Sequence, residues 1–123
     1  PLRVVLAGIG PVPESLPSNV LNLLGATTLP EFVALARDAA AVVSVDSGPA
    51  HIAAAVNNRV LCIHTWSDPR RVGPYNPRAC VWQGGEIRPQ TFDPHPHRAI
   101  PRAVDSKDLP AIAKWAFAAS GNP

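Results

Sequence analysis

The chain has no methionine, a single tyrosine and only two cysteines among its 123 residues. With no methionine, it is expected to begin after a removed initiator or to be cut from something larger. Two cysteines cannot form the disulfide framework that holds small secreted domains together. Cys62 sits in the apolar run Val60-Leu61-Cys62-Ile63 and Cys80 beside Val81-Trp82. Cys62 therefore reads as a small core residue, and no bridge between the two is expected. Charge is also scarce, at 16% against a usual ~25%. Combined with 46% hydrophobic residues, that excludes disorder, which needs low hydrophobicity and high charge. No apolar run approaches the ~20 residues of a membrane span. The first seven residues lack the basic head and cleavage site of a signal peptide.

What is present is proline, 15 residues of it, mostly punctuating loops, and an uneven charge. The formal net charge is +2. Residues 1–46 carry a surplus of acid, residues 47–104 carry seven arginines against three acids, and residues 105–123 balance. A local basic surplus favours an anionic ligand. It is too small and too poor in lysine for nucleic acid, and no aromatic-interleaved basic run accompanies it.

Hydrophobic patterning predicts alternating strands and helices. Leu2–Ala7, Asn19–Leu24, Ala40–Val45, Arg59–His64 and Ala79–Trp82 are short apolar runs stopped by turn residues, and each reads as a buried strand. Thr28 and Glu31 stand at capping-box spacing with Pro30 in the first turn, so a helix should start there. Leu29, Phe32, Val33 and Ala36 then share one face. Ala50–Val56 predicts a short helix and Ser106–Ser120 a final one. Thr65–Pro77 reads as a long loop, and Glu86–Pro101 as irregular. Strands apolar on both faces that alternate with helices imply an α/β fold: one Rossmann-like domain over residues 1–123 with a short parallel sheet of about five strands. Ligands of such sheets bind at the carboxyl ends of strands, which selects three loops: 8–15, 46–51 and 65–75.

The second of these loops is the most informative. Val45-Asp46-Ser47-Gly48-Pro49-Ala50-His51 is a strand end, a tight turn and a helix start. The first turn of a helix offers free N–H groups and the positive end of its dipole, which suits phosphate. Gly48 lets a ligand approach the backbone, and Pro49 fits a position that needs no donor. Ser47 can add a hydroxyl, Asp46 can accept from sugar hydroxyls, and His51 can contact a phosphate or leaving group. The plainer alternative is that Asp46 or Ser47 merely caps the helix.

Other patterns are weaker. His95 and His97 lie in an extended, proline-rich stretch without further placed ligands, so no metal site is expected. Asp46, Ser47 and His51 share one turn and lack a Gly-x-Ser-x-Gly elbow, which argues against a hydrolase triad. Gly8-Ile9-Gly10 lacks the third glycine and the following helix of a dinucleotide fingerprint. Trp66, Trp82 and Trp115 are expected in packing or beside an adenine.

The segment Asp46-Ser47-Gly48-Pro49-Ala50-His51-Ile52-Ala53-Ala54-Ala55 resembles the signature of the family 9 glycosyltransferases, the ADP-heptose:lipopolysaccharide heptosyltransferases. Upstream, Asn22-Leu23-Leu24-Gly25-Ala26-Thr27-Thr28-Leu29-Pro30-Glu31 is similar to a second motif of that family, and Ser67-Asp68-Pro69-Arg70-Arg71-Val72-Gly73-Pro74-Tyr75 to a third. The three stand in the family's order over about residues 2–82.

This resemblance implies a GT-B fold of two Rossmann-like domains, of which the chain is the C-terminal, donor-binding half. It implies that Ser47, Gly48 and His51 bind the donor diphosphate, that Asp46 touches the donor sugar, and that Glu14, Asp68, Arg70, Arg71 and Tyr75 border the cleft. The catalytic base is then expected in a missing N-terminal acceptor domain, so no catalytic residue is assigned in this chain. The implied activity is inverting transfer of a sugar, heptose from ADP-heptose, to a lipopolysaccharide or other glycolipid acceptor, with no metal or cofactor held by the protein. The implied location is cytoplasmic, free or peripheral to the inner membrane, without a transmembrane segment. Two alternatives stay open: a nucleotide-sugar binding module without catalysis, and half of a GT-B epimerase acting on UDP-sugars. The sequence departs from the family pattern at Ala26, where lysine is frequent, at Thr65-Trp66, where Gly-Pro is usual, and between Glu14 and Asn19, which is too short for a helix.

Overall fold

The computed structural model describes residues 2–92 and 99–119. Asp93, His95 and His97, and the expected helix end at Ser120, lie outside the described residues. By packing, the chain divides into two units, residues 1–35 and 36–123.

In the first unit, β1 (Val4–Gly8) and β2 (Val20–Leu24) pair in parallel, with Val4 opposite Val20 and Gly8 opposite Leu24. Parallel neighbours need a crossover, usually helical. Here residues 9–19 make it without a helix, as the short spacing predicts. Helix α1 (Leu29–Asp38) follows. Its start is the expected capping box: Thr28 N–H donates to Glu31 Oε1 at 2.9 Å, and Glu31 N–H donates to Thr28 Oγ1 at 3.3 Å. Two otherwise orphaned donors are thereby satisfied.

The second unit is a four-stranded sheet of β3 (Val42–Val45), β4 (Val60–His64), β5 (Cys80–Gln83) and β6 (Glu86–Pro89), in that spatial order. The first three are parallel, and β6 runs antiparallel to β5. The expected α/β class with a parallel-dominated sheet is present, but its strands fall into a pair and a group of four, with one strand reversed. That reversal lies inside the stretch expected to be irregular. Gly84 and Gly85 have φ of 61° and 91°, which a two-residue primed turn requires. They fold β6 back so that Glu86 sits opposite Gln83. Pro89 ends this edge strand, where its missing donor is tolerated.

Helix α2 (Gly48–Val56) covers one face of the sheet. Its small side chains let it lie close: Ala50 packs with Cys62 and Val81, and Ala53 with Ala36, Val60 and Ala79. Side chains alternate along a strand, so Val60, Cys62 and His64 share that face while Leu61 takes the other. Trp82 and Leu61 are fully buried. Arg102 lies with its guanidinium 5.3 Å from the Trp82 ring, donates its N–H to Thr65 O at 2.8 Å, and bonds Asp108 Oδ1 at 2.9 Å. This fastens the segment before the last helix, α4 (Leu109–Ala119). A short helix, α3 (Pro69–Val72), interrupts the loop expected at 65–77. Asp68 caps it and Pro69 fills its first position. Both cysteines are free, as expected. Among the described residues no helix is long and apolar enough to cross a membrane.

Candidate functional site

Strand β3 delivers Asp46 at its carboxyl end, where its N–H donates to Ile63 O at 3.1 Å. The chain then turns through Ser47, with extended backbone at φ −164°, and enters α2 at Gly48. This start lies two residues before the expected Ala50, because Pro49 is preset for a helical first turn. Ser47 stands at the N-cap but makes no capping bond. Its hydroxyl donates instead to Val45 O at 3.2 Å. The plain capping alternative therefore fails for Ser47. Among the described residues, Gly48 N–H has no acceptor. A Cβ built on Gly48 would meet nothing within 4 Å. The helix thus begins on an exposed glycine with an unclaimed amide, at the positive end of its dipole. His51, one turn along, is exposed.

Asp46 is held from below. Ser67 Oγ donates to Asp46 Oδ2 at 2.6 Å, and Ser67 Oγ lies 2.8 Å from His64 Nδ1. His64 is completely buried and Ser67 nearly so, while the Asp46 side chain keeps 14% of its surface exposed. Serine carries one hydroxyl hydrogen, and the carboxylate can only accept it. His64 must therefore donate Nδ1–H to Ser67, which leaves Nε2 as a bare lone pair. Nε2 is buried with no partner among the described residues. A proton there would have no acceptor, so the ring is held neutral. Burial accordingly pushes the His64 pKa below its ordinary 6.5; the Asp46 carboxylate opposes this, His51 adds to it, and Asp68 opposes it.

Asp46, Cys62 and His64 bring three potential metal ligands within 4.8 Å of one another. Hydrogen bonding already engages Asp46 Oδ2 and His64 Nδ1. Burial, and then the Asp46 charge, push the Cys62 thiol up to about 12, so it stays protonated. The hydrogen bonds of the cluster form a relay from His64 through Ser67 to Asp46.

The remaining candidates are placed less centrally. Asp68 Oδ1 accepts from Arg70 N–H at 3.0 Å, as the cap of α3, and its Oδ2 is enclosed without a partner among the described residues. Arg70 is half-buried, with Nη1 likewise unpartnered among them, and Arg71 is exposed. Asp68 and Arg70 line a recess of roughly 50 Å³ with Gln83, Glu86 and Arg88; none of Asp46–His51 lines it. Tyr75 is 89% exposed, its ring centroid 5.1 Å from that of Phe92. Glu14 belongs to the first unit, exposed on the 9–19 connection. Sequence reasoning missed His64 and Ser67, which lie apart from the turn along the chain and meet Asp46 only through the register of β3 on β4.

Comparison with known proteins gives a consistent picture. The family model for glycosyltransferase family 9 (heptosyltransferase) matches residues 9–94. Over 70 residues the chain is 39% identical to lipooligosaccharide heptosyltransferase 2 of Haemophilus influenzae, covering 57% of this chain and 20% of that protein. Over 55 residues it is 40% identical to the lipopolysaccharide core heptosyltransferase OpsX of the same organism, covering 45% of this chain and 16% of that protein. The matched stretch thus spans a fifth or less of either relative. No solved structure matches significantly.

Proposed function

Because the chain belongs to glycosyltransferase family 9, the heptosyltransferase family, we infer that it carries the donor-binding part of a sugar transferase. The proposed donor is a nucleotide-diphosphate sugar, ADP-heptose as the resemblance of the three motifs implies, and the proposed acceptor a lipopolysaccharide glycan; the names of the relatives speak of heptose transfer and of lipooligosaccharide or lipopolysaccharide. The observation that carries this reading is the start of α2: an unclaimed Gly48 amide, open space where a side chain on Gly48 would stand, and no capping bond from Ser47.

Transfer from such a donor releases a nucleoside diphosphate whose charge grows in the transition state. A fixed N–H and an oriented helix dipole stabilise that charge without reorganising as the bond breaks. Asp46 stands one residue before Ser47, with its exposed edge free to accept from a sugar hydroxyl. His51, exposed on the first turn of α2, can contact the phosphates. Arg70, Arg71, Asp68 and Tyr75 are proposed as borders of the same cleft, and Glu14, in the first unit, as a separate candidate for donor contact. The base that deprotonates the acceptor, and the acceptor site itself, are proposed to lie outside these 123 residues, on an N-terminal domain in the cytoplasm or at the inner membrane surface.

Calorimetric titration with ADP, UDP and ADP-heptose tests the reading. ADP and ADP-heptose should bind and UDP should bind more weakly. Preference for UDP favours epimerase chemistry instead. Absence of heat with all three refutes a donor site in this chain.

A further inference from the structure

Resting on the donor-site reading, we propose that Ser67 and His64 are positioning residues that present Asp46 to the donor sugar.

Asp46 follows the last residue of β3, at a point where the chain leaves the sheet and nothing in the backbone fixes its side chain. Its Oδ2 is bonded by Ser67 at 2.6 Å, a length typical of a strong O–H···O⁻ contact. Oδ1 accepts no hydrogen bond among the described residues, and the side chain remains partly exposed. One oxygen is therefore anchored and the other presented. The anchor is itself anchored. Ser67 is 4% exposed, and its hydroxyl would be free to rotate were its second contact not fixed by His64 Nδ1–H at 2.8 Å. His64 cannot reorient cheaply, because it is fully buried on β4 beneath α2. The direction of donation thus runs from imidazole to hydroxyl to carboxylate, and it requires the Nδ1–H tautomer. Burying a histidine with an unpartnered ring nitrogen is costly for stability alone. Its position behind a carboxylate that is exposed on one side gives that cost a purpose: fixed orientation of a sugar-binding acceptor.

The consequence is selective. A carboxylate aimed at the sugar contributes to binding of the nucleotide sugar and nothing to binding of the nucleoside diphosphate. Removing the serine hydroxyl should weaken ADP-heptose binding by roughly tenfold, since a hydrogen bond to a charged group is at stake. ADP binding should change by less than about twofold. Ser67→Thr keeps the hydroxyl and should restore ADP-heptose affinity.

The experiment pairs calorimetric titration of wild type, Ser67→Ala and Ser67→Thr against ADP and ADP-heptose with nitrogen NMR of the wild-type His64 ring. The expected result is a loss confined to ADP-heptose in Ser67→Ala, rescue in Ser67→Thr, and a His64 ring protonated at Nδ1 and bare at Nε2. Equal loss of both ligands, or unchanged affinity for both, in Ser67→Ala overturns the proposal while leaving the donor site standing. An Nε2–H tautomer overturns it as well. If wild type binds neither ligand, the donor-site reading itself fails, and the sugar-presenting role falls with it.

Discussion

Replacing Gly48 by valine separates ligand binding from folding, because the structure gives the two different answers. The glycine has no positive φ, and a Cβ there meets nothing within 4 Å. A side chain is therefore accommodated by the folded chain. Valine is a poor helix former but a better one than glycine, so the change in stability should stay within about 0.5 kcal/mol, a shift of a few degrees at most in the thermal midpoint. The same methyl groups add bulk on the residue that carries the first amide of α2. A phosphate oxygen kept from that amide loses a charge-assisted hydrogen bond, about 1.5–3 kcal/mol, or roughly 10- to 150-fold in affinity. Gly48→Ala should fall between wild type and valine. Titration with ADP measures the affinity, and circular dichroism on heating measures the stability. Affinity for ADP within twofold of wild type, at an unchanged midpoint, would mean that the diphosphate sits elsewhere. A collapse in stability would mean that the space in front of Gly48 is not open.

Trp82 is fully buried, so Trp82→Ala should cost about 3–5 kcal/mol in urea unfolding, enough to unfold a marginal domain; a cost below about 1 kcal/mol contradicts the packing described. His64 has a depressed native pKa, so the unfolded chain takes up a proton near the ordinary 6.5 that the folded chain refuses. Its stabilising contribution is complete above that pH and is lost as pH falls through 6.5 toward the native value. The thermal midpoint should drop between pH 7 and pH 5, and by less in His64→Gln; a flat profile in wild type contradicts the buried neutral ring. With its thiol pushed up to about 12, Cys62 is thiolate in roughly one molecule in ten thousand at pH 8, so iodoacetamide should modify half-buried Cys80 first and Cys62 only on unfolding. Rapid native labelling of Cys62 contradicts its placement.

Local rules carried much of the fold. Thr28 and Glu31 bond reciprocally as their spacing predicts, and Asn57 ends α2 where the Asn57-Asn58 pair predicts, its N–H on Ala53 O. The turn from β3 into α2 was legible for the same reason: strand, glycine, proline and helix lie within seven consecutive residues. Errors arose where the signal was short or masked by proline. Helix α3 is four residues long and carries no periodicity, although Asp68-Pro69 is itself a start signal. Strand β6 was hidden in a proline-rich stretch, although Gly84-Gly85 marks its hairpin. The relay was not legible at all. His64 and Ser67 are three residues apart and 21 residues or fewer from Asp46, and only the pairing of β3 with β4 tells which side chains of those strands meet.

The central claim is that main-chain amides at the start of α2 grip a diphosphate. Nitrogen-15 amide spectra recorded during titration with ADP test it residue by residue. The account predicts that Ser47 and Gly48 shift most and saturate together. Saturating shifts confined to other parts of the chain, with these two unmoved, would contradict it.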